Sequence, residues 1–199
     1  HIVSRRQRQM CIRDRPISRA GSERIHKFCF DLAVRRSAKL GVPQSVTCVD
    51  KSNVLRGCQF FRSIFREIAE SYPKIGAKEA YIDAFTMWLV RDPEDLDVVV
   101  LPNMFGDIAT DLASVLQGGM GMAASANLGD KHMMFEPVHG SSPKHAGKNR
   151  VNPIAMLSSL QLMLENLSLR HDDPLLDKYG NILQPVSYTH LRAHETGSY

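Results

Sequence analysis

From residue 22 onward, short runs of strand-forming residues alternate with longer amphipathic stretches, and this alternation constrains the fold more than any other feature of the chain. Ser45–Val49, Ala80–Ile82 and Asp97–Leu101 are predicted as strands. Before the first of them, Ser22 is placed to cap a helix, and Ile25, Phe28, Cys29, Leu32 and Ala33 recur at the spacing of one helical face until Gly41 and Pro43 end the pattern. A second amphipathic helix carries Phe60, Phe61, Ile64, Phe65, Ile68 and Ala69 and closes at Tyr72-Pro73; its phenylalanines are most simply core. A third runs from Asp83 through Trp88 and Val90 to the break at Asp92-Pro93. Gly118 to Gly121 end a fourth and open a small-residue loop, Met133–Phe135 is a further strand, and Ile154, Leu157, Gln161, Leu164 and Leu167 mark a long last helix. Strands alternating with helices argue for an α/β domain.

The 199 residues are enough for one domain or two small ones with a sizeable core. No apolar run approaches the roughly 20 residues that span a bilayer, and no signal peptide is expected. Cys11, Cys29, Cys48 and Cys58 show neither C-x-x-C spacing nor a secreted framework, so reduced thiols in a cytoplasmic setting are expected. The net charge of +4 resides entirely in Arg5, Arg6, Arg8, Arg13 and Arg15 against Asp14. Beyond that arm no basic surface for nucleic acid or membrane is expected. Residues 1–16 and 186–199 differ in character from everything between them and resemble translated adaptor sequence, which sets the domain of interest at 17–185; the alternative is a natural basic arm and polar tail.

The densest chemistry begins after Val98-Val99-Val100, where LPNMFGDIATD sets Asp107 and Asp111 four residues apart. On a helix both carboxylates share one face, just past a strand end, where α/β proteins bind ligands. Hard oxygen donors at that spacing suit Mg²⁺ or Mn²⁺; the competing explanation is that they complement the helix dipole. Lys51 follows a strand directly, with Asn53 two residues on. A lysine sheltered beside a metal can accept or deliver a proton near neutral pH, whereas an isolated one is ordinarily solvated. Asp83, at another strand-to-helix junction, is a third oxygen donor or a helix cap. Glu136 to Pro153 (EPVHGSSPKHAGKNRVNP) has the Gly, Ser, His, Lys and Asn content that suits contact with phosphates and an adenosine, though such a loop is often only a loop.

Four stretches together, VDKSNVL (49–55), IDAFTMWLV (82–90), NMFGDIATD (103–111) and FEPVHGSSPKHAGKNRVNP (135–153), resemble the β-decarboxylating dehydrogenases, in that family's order and spacing. The family includes isopropylmalate, isocitrate, D-malate and tartrate dehydrogenases, and DAFTMWLV and FEPVHGS are nearest the isopropylmalate branch. The resemblance implies a two-domain α/β subunit with a sheet running through both domains and no Rossmann fold, in keeping with the lack of a G-x-G-x-x-G after any strand. It implies Lys51 as the acid/base and Asn53 beside nicotinamide and substrate. It implies Asp83, Asp107 and Asp111 as ligands of Mg²⁺ or Mn²⁺, the lysine and first aspartate from one subunit of a homodimer and the other two from its mate. Glu136, His139, Gly140, Ser141 and Asn152 fall where the family binds NAD or NADP, His139 against the adenine. The implied reaction oxidises a 2-hydroxy acid and then removes CO₂, aided by a cation that stabilises developing enolate charge.

Two departures stand out. Lys144, followed by His145, occupies a position where NAD-using members carry an aspartate against the ribose, so NADP or a relaxed preference is expected. Subunits of the family are also nearly twice this length, so the N-terminal half, with its substrate-gripping arginines and catalytic tyrosine, is expected to be missing and the isolated chain inactive. Competing expectations are a regulatory subunit of the same family, against which the full set of Lys51, Asp83, Asp107 and Asp111 speaks, and a nucleic-acid-binding protein resting only on the basic arm.

Overall fold

The computed structural model describes residues 17–148 and 150–183, which fall into two compact units divided after Ala109. The basic arm and the polar tail lie outside the described residues.

The first unit is built on a parallel three-stranded sheet of β1 (Ser45–Asp50), β2 (Gly76–Tyr81) and β3 (Val98–Val100), in the order β2-β1-β3. β1 is central, and its all but continuous burial (Val46 to Asp50) is what a strand covered on both faces requires. The helices α1 (Arg19–Leu40) and α2 (Arg56–Ala69) pack on each other and on β1, and α1 also packs on β3. Helix α3 (Ile82–Arg91) follows β2 without a linker and packs on β2 and β1, burying Phe85 and Leu89 one turn apart. Phe30 from α1 stacks on Phe65 from α2 at 5.3 Å and on Tyr72 at 4.9 Å, closing the core over Val46, Cys48, Val98 and Val100. Cys29, Cys48 and Cys58 are buried free thiols, and burial pushes that of Cys29 up to about 12.

Three expectations shift here. Helix α1 starts at Arg19, with Ser18 capping it through a bond from Gly21 N–H (3.2 Å), while Ser22 is buried inside the helix. Its buried face is Ser22, His26, Cys29, Phe30 and Ala33; Ile25 and Phe28 are exposed, as is Phe60 on α2. Two adjacent apolar arcs are available on α1, and the aromatic side chains of α2 select the one carrying His26 and Phe30. β2 begins four residues earlier than expected, and Ile82 already belongs to the next helix.

Helix α4 (Asn103–Leu116) runs from the first unit into the second. It ends at Gly118 and Gly119, both at left-handed φ (101° and 102°), which lets Gly119 N–H reach back to Ser114 O at 2.8 Å. The second unit then forms an antiparallel hairpin of β4 (Ala124–Leu128) and β5 (Met133–Pro137), covered by α5 (Ile154–His171). β4 falls in the stretch expected to be loop; its ASANL composition is a poor strand former, and pairing with β5 holds it. Arg170 on α5 donates to Gly129 O (2.8 Å) and Lys131 O (3.1 Å), tying down the hairpin tip. Residues 174–183 form a further helix. The five strands of the described residues divide between two sheets. No helix of the described residues is long and apolar enough to cross a membrane.

His26 is completely buried against Phe61 (ring centroids 4.3 Å apart) and Phe65, and neither ring nitrogen has a partner. Burial lowers its pKa from 6.5 to about 4. Below pH 6.5 the unfolded chain therefore takes up a proton that the folded chain refuses, and stability falls as pH drops from 6.5 toward 4. The loss is expected to reach about 3 kcal/mol, read from urea unfolding across that range, and His26→Leu is expected to flatten the slope.

Candidate active site

The exits of two parallel strands bring the first pair of site residues together. β1 ends at Asp50 and β2 at Tyr81, the last residues paired in the ladder. One residue past the first and two past the second lie Lys51 and Asp83, with Lys51 Nζ donating to Asp83 Oδ1 at 2.7 Å. The lysine side chain is mostly sheltered and the aspartate 65% exposed, so this carboxylate has oxygen left to offer a ligand. The Lys51 ammonium holds the Asp83 carboxyl below its ordinary pKa. Lys51 O accepts from Val54 and Leu55 N–H (3.0 and 2.9 Å), making a tight turn in which Asn53 is exposed beside the lysine.

Beneath this turn lies a buried charge cluster that reading the sequence did not single out. Arg62 on α2 donates Nε to Asp50 Oδ2 and Nη2 to Asp50 Oδ1, both at 2.8 Å, and Nη2 also to Ala80 O at 2.8 Å. Its Nη1 reaches Glu79 at 3.3 Å, and its guanidinium lies over the Tyr81 ring. Burial opposes the Arg62 charge, but Asp50 and then Glu79 more than offset it and raise the pKa. Arg66 closes the far side, lowering the Glu79 pKa. The signal was a polar residue on the apolar face of the FFRSIF stretch, matched by an aspartate ending an apolar strand.

Asp107 and Asp111 both lie exposed on α4, one turn apart as expected. Neither is in the helix's first turn, which removes the dipole explanation. Asn103 Nδ2 donates to Asp107 Oδ2 at 3.2 Å. Among the described residues no three His, Cys, Asp or Glu side chains form a group able to hold a metal. The donors themselves are carboxylate oxygens with exposed surface, the chemistry that Mg²⁺ or Mn²⁺ takes.

In the second unit a cavity of about 510 Å³ gathers His139, Gly140, His145 and Asn152 of the expected coenzyme residues, with Ser142, Arg150 and Met120. Glu136, Ser141 and Lys144 do not line it. His139 Nδ1 donates to Gly140 O at 2.8 Å, and Ser142 Oγ lies 2.9 Å from His145 Nδ1. Glu136 on β5 accepts a long bond from Asn127 (3.4 Å). The Asn152 amide is already committed, its Oδ1 accepting from Ile154 N–H at the start of α5 and its Nδ2 meeting Met122 Sδ. Arg150 was missed, although it sits in a KNR run that supplies a second cation.

The first unit of this α/β protein thus carries a sheltered lysine against an exposed carboxylate, and the second carries a cavity lined by two histidines and an arginine. The isocitrate/isopropylmalate dehydrogenase family profile matches residues 2–177, and the chain belongs to that family. It is 47% identical over 187 residues to 3-isopropylmalate/3-methylmalate dehydrogenase of Methanocaldococcus jannaschii, covering 94% of this chain and 55% of that protein. It is 42% identical over 166 residues to homoisocitrate dehydrogenase of the same organism, covering 83% and 46%. Among solved structures, isocitrate dehydrogenase from Methylococcus capsulatus superposes with a TM-score of 0.71 at 39% identity, covering 82% of this chain and 46% of that one. The chain spans about half the length of the curated relatives it matches.

Because Asp83 is exposed, its ion pair with Lys51 adds little to stability. Asp83→Asn is expected to leave the urea unfolding midpoint unchanged; a clear drop would assign the pair a structural role.

Proposed function

We propose that this chain is the C-terminal part of a homodimeric, metal-dependent oxidoreductase that oxidatively decarboxylates a 2-hydroxy acid, with 3-isopropylmalate as substrate. The observation that carries the proposal is the 2.7 Å contact between Lys51 and Asp83 at adjacent strand exits, which joins a proton-transfer group to a carboxylate with free oxygen. Several relatives named as 3-isopropylmalate dehydrogenases support the substrate, and the homoisocitrate and isocitrate relatives supply the alternatives to be assayed beside it.

Asp83 would hold Mg²⁺ or Mn²⁺ together with Asp107 and Asp111 of a second copy. The ion, when bound, polarises the substrate hydroxyl and carboxylate and stabilises enolate charge. In its amine form Lys51 would take the hydroxyl proton during oxidation, and the ammonium so formed would return a proton to the product, with Asp83 holding it in place. Asn53, exposed in the same turn, orients substrate and nicotinamide by its amide. Helix α4 carries Met104, Ile108, Val115 and Leu116 exposed beside its two carboxylates, an apolar surface suited to a second copy.

The cavity lined by His139, Gly140, His145 and Arg150 would hold the adenosine end of NAD or NADP, whose nicotinamide accepts the hydride. Glu136, Ser141 and Lys144 lie on the same segment, outside the cavity, and would meet the ribose and phosphates. Asn152 acts there by fixing the start of α5. With Arg150 in the lining and Lys144 and His145 beside it, a ribose 2′-phosphate has cations to meet, and NADP is the coenzyme we favour. The proposed setting is the cytoplasm, where thiols such as Cys29, Cys48 and Cys58 stay reduced.

Two outcomes are expected with the complete polypeptide. Asp107→Asn lowers kcat by about 10²-fold or more at saturating Mn²⁺, and near-full activity would remove the carboxylate from the metal site. Arg150→Ala raises KM for NADP about tenfold with little change for NAD; a wild-type preference for NAD would end the 2′-phosphate argument.

A further inference from the structure

We infer that Asp50 and Arg62 are positioning residues, a buried clasp that sets the spacing of the two strand exits from which Lys51 and Asp83 project. The inference rests on the reading of Lys51 and Asp83 given above, and it assigns a task to the charge cluster that the reaction itself does not use.

Ladder hydrogen bonds fix β1 against β2 only as far as Asp50 and Tyr81. Beyond that pair one chain turns and the other starts a helix, so no backbone pairing holds Lys51 at a set distance from Asp83. Arg62 acts at this boundary. Its Nη2 bridges the Asp50 carboxylate at the end of β1 and the Ala80 carbonyl at the end of β2, both at 2.8 Å. The Arg62 side chain is 10% exposed and Asp50 fully buried, so water does not compete for these bonds. Asp50 Oδ1 also accepts from Ser52 N–H at 2.7 Å, and Gln59 Nε2 donates to Ser52 O at 2.8 Å, so the turn after Lys51 is held on both sides. A planar guanidinium can satisfy a carboxylate and a carbonyl at once, whereas a lysine ammonium or an apolar side chain of similar volume cannot hold both in that geometry.

A cluster serving stability alone predicts that an apolar pair of similar volume would replace it without further consequence. The test therefore compares Arg62→Met, Asp50→Leu, the double variant, Arg62→Lys and, as a control on the exposed side of Glu79, Arg66→Met, all in the complete polypeptide. The readouts are the thermal midpoint, kcat and the two KM values, with crystal structures of the wild type and double variant. Both single variants are expected to lose midpoint and kcat. The double variant regains the midpoint while kcat stays down about 10- to 100-fold with coenzyme KM unchanged, and its Lys51–Asp83 contact opens beyond about 4 Å. Arg62→Lys keeps most of the midpoint but shows a similar kcat loss, and Arg66→Met changes neither. A double variant that recovers midpoint and kcat together, an Arg62→Lys with full kcat, or a Lys51–Asp83 distance unchanged from wild type overturns the clasp. A wild type inactive on every 2-hydroxy acid tried would overturn the proposed function instead, while the crystallographic distance would still decide the clasp.

Discussion

A guanidinium buried between the ends of two parallel strands is the interaction on which the described site depends. Isolating either Asp50 or Arg62 in the interior leaves an uncompensated charge, at a cost of about 3–5 kcal/mol, so the two must be present together. Their bidentate geometry, extended to the Ala80 carbonyl, ties helix α2 to β1 and β2 at one edge of the core. The rest of the first unit supplies the shelter. Phe30, Phe65 and Tyr72 stack over the sheet, and burial among the aromatic rings disfavours the charged form of His26. The charged cluster of Asp50 and Arg62 lies buried directly before the turn from which Lys51 emerges.

The division of labour follows from strand chemistry. In a parallel sheet the carboxyl ends of neighbouring strands point the same way, so residues just past them gather on one edge. Parallel pairing brings Lys51 and Asp83, 32 positions apart in sequence, to neighbouring strand exits, where they meet at 2.7 Å. Asp107 and Asp111 need no such device, since one turn of α4 aligns them. A single chain nevertheless does not complete a metal site among its described residues. The proposed homodimer, in which each copy would lend its helix to the other's strand exits, would bring the two halves together and cover the apolar residues exposed along α4.

Much of this was legible in the sequence. The three strands of the first unit, the helices between them and the break at Asp92-Pro93 follow from local pattern, and four motifs in order disclose the family. What escaped depended on partners distant in sequence. Ile25 and Phe28 look like core until α2 chooses the neighbouring face of α1, and β4 looks like loop until β5 pairs with it. Arg62 amid phenylalanines looks like a solvent-facing charge unless Asp50 and the end of β2 are seen beneath it. Asn152 is expected from the sequence at the coenzyme, but its task of starting α5 requires knowing where Ile154 and Met122 lie. Arg150 was hidden by its neighbours, its cation indistinguishable from surface until the cavity gave it a place.

The central claim is that strand exits of one copy and helix carboxylates of another make one working centre. Subunit complementation tests it most directly: complete chains carrying Lys51→Met are unfolded and refolded together with complete chains carrying Asp107→Asn, each inactive alone. Shared centres give every mixed dimer one intact site, so the mixture should recover about a quarter of the wild-type rate. Mixed dimers that form, as native mass spectrometry would register, and yet remain as inactive as their parents would contradict the account.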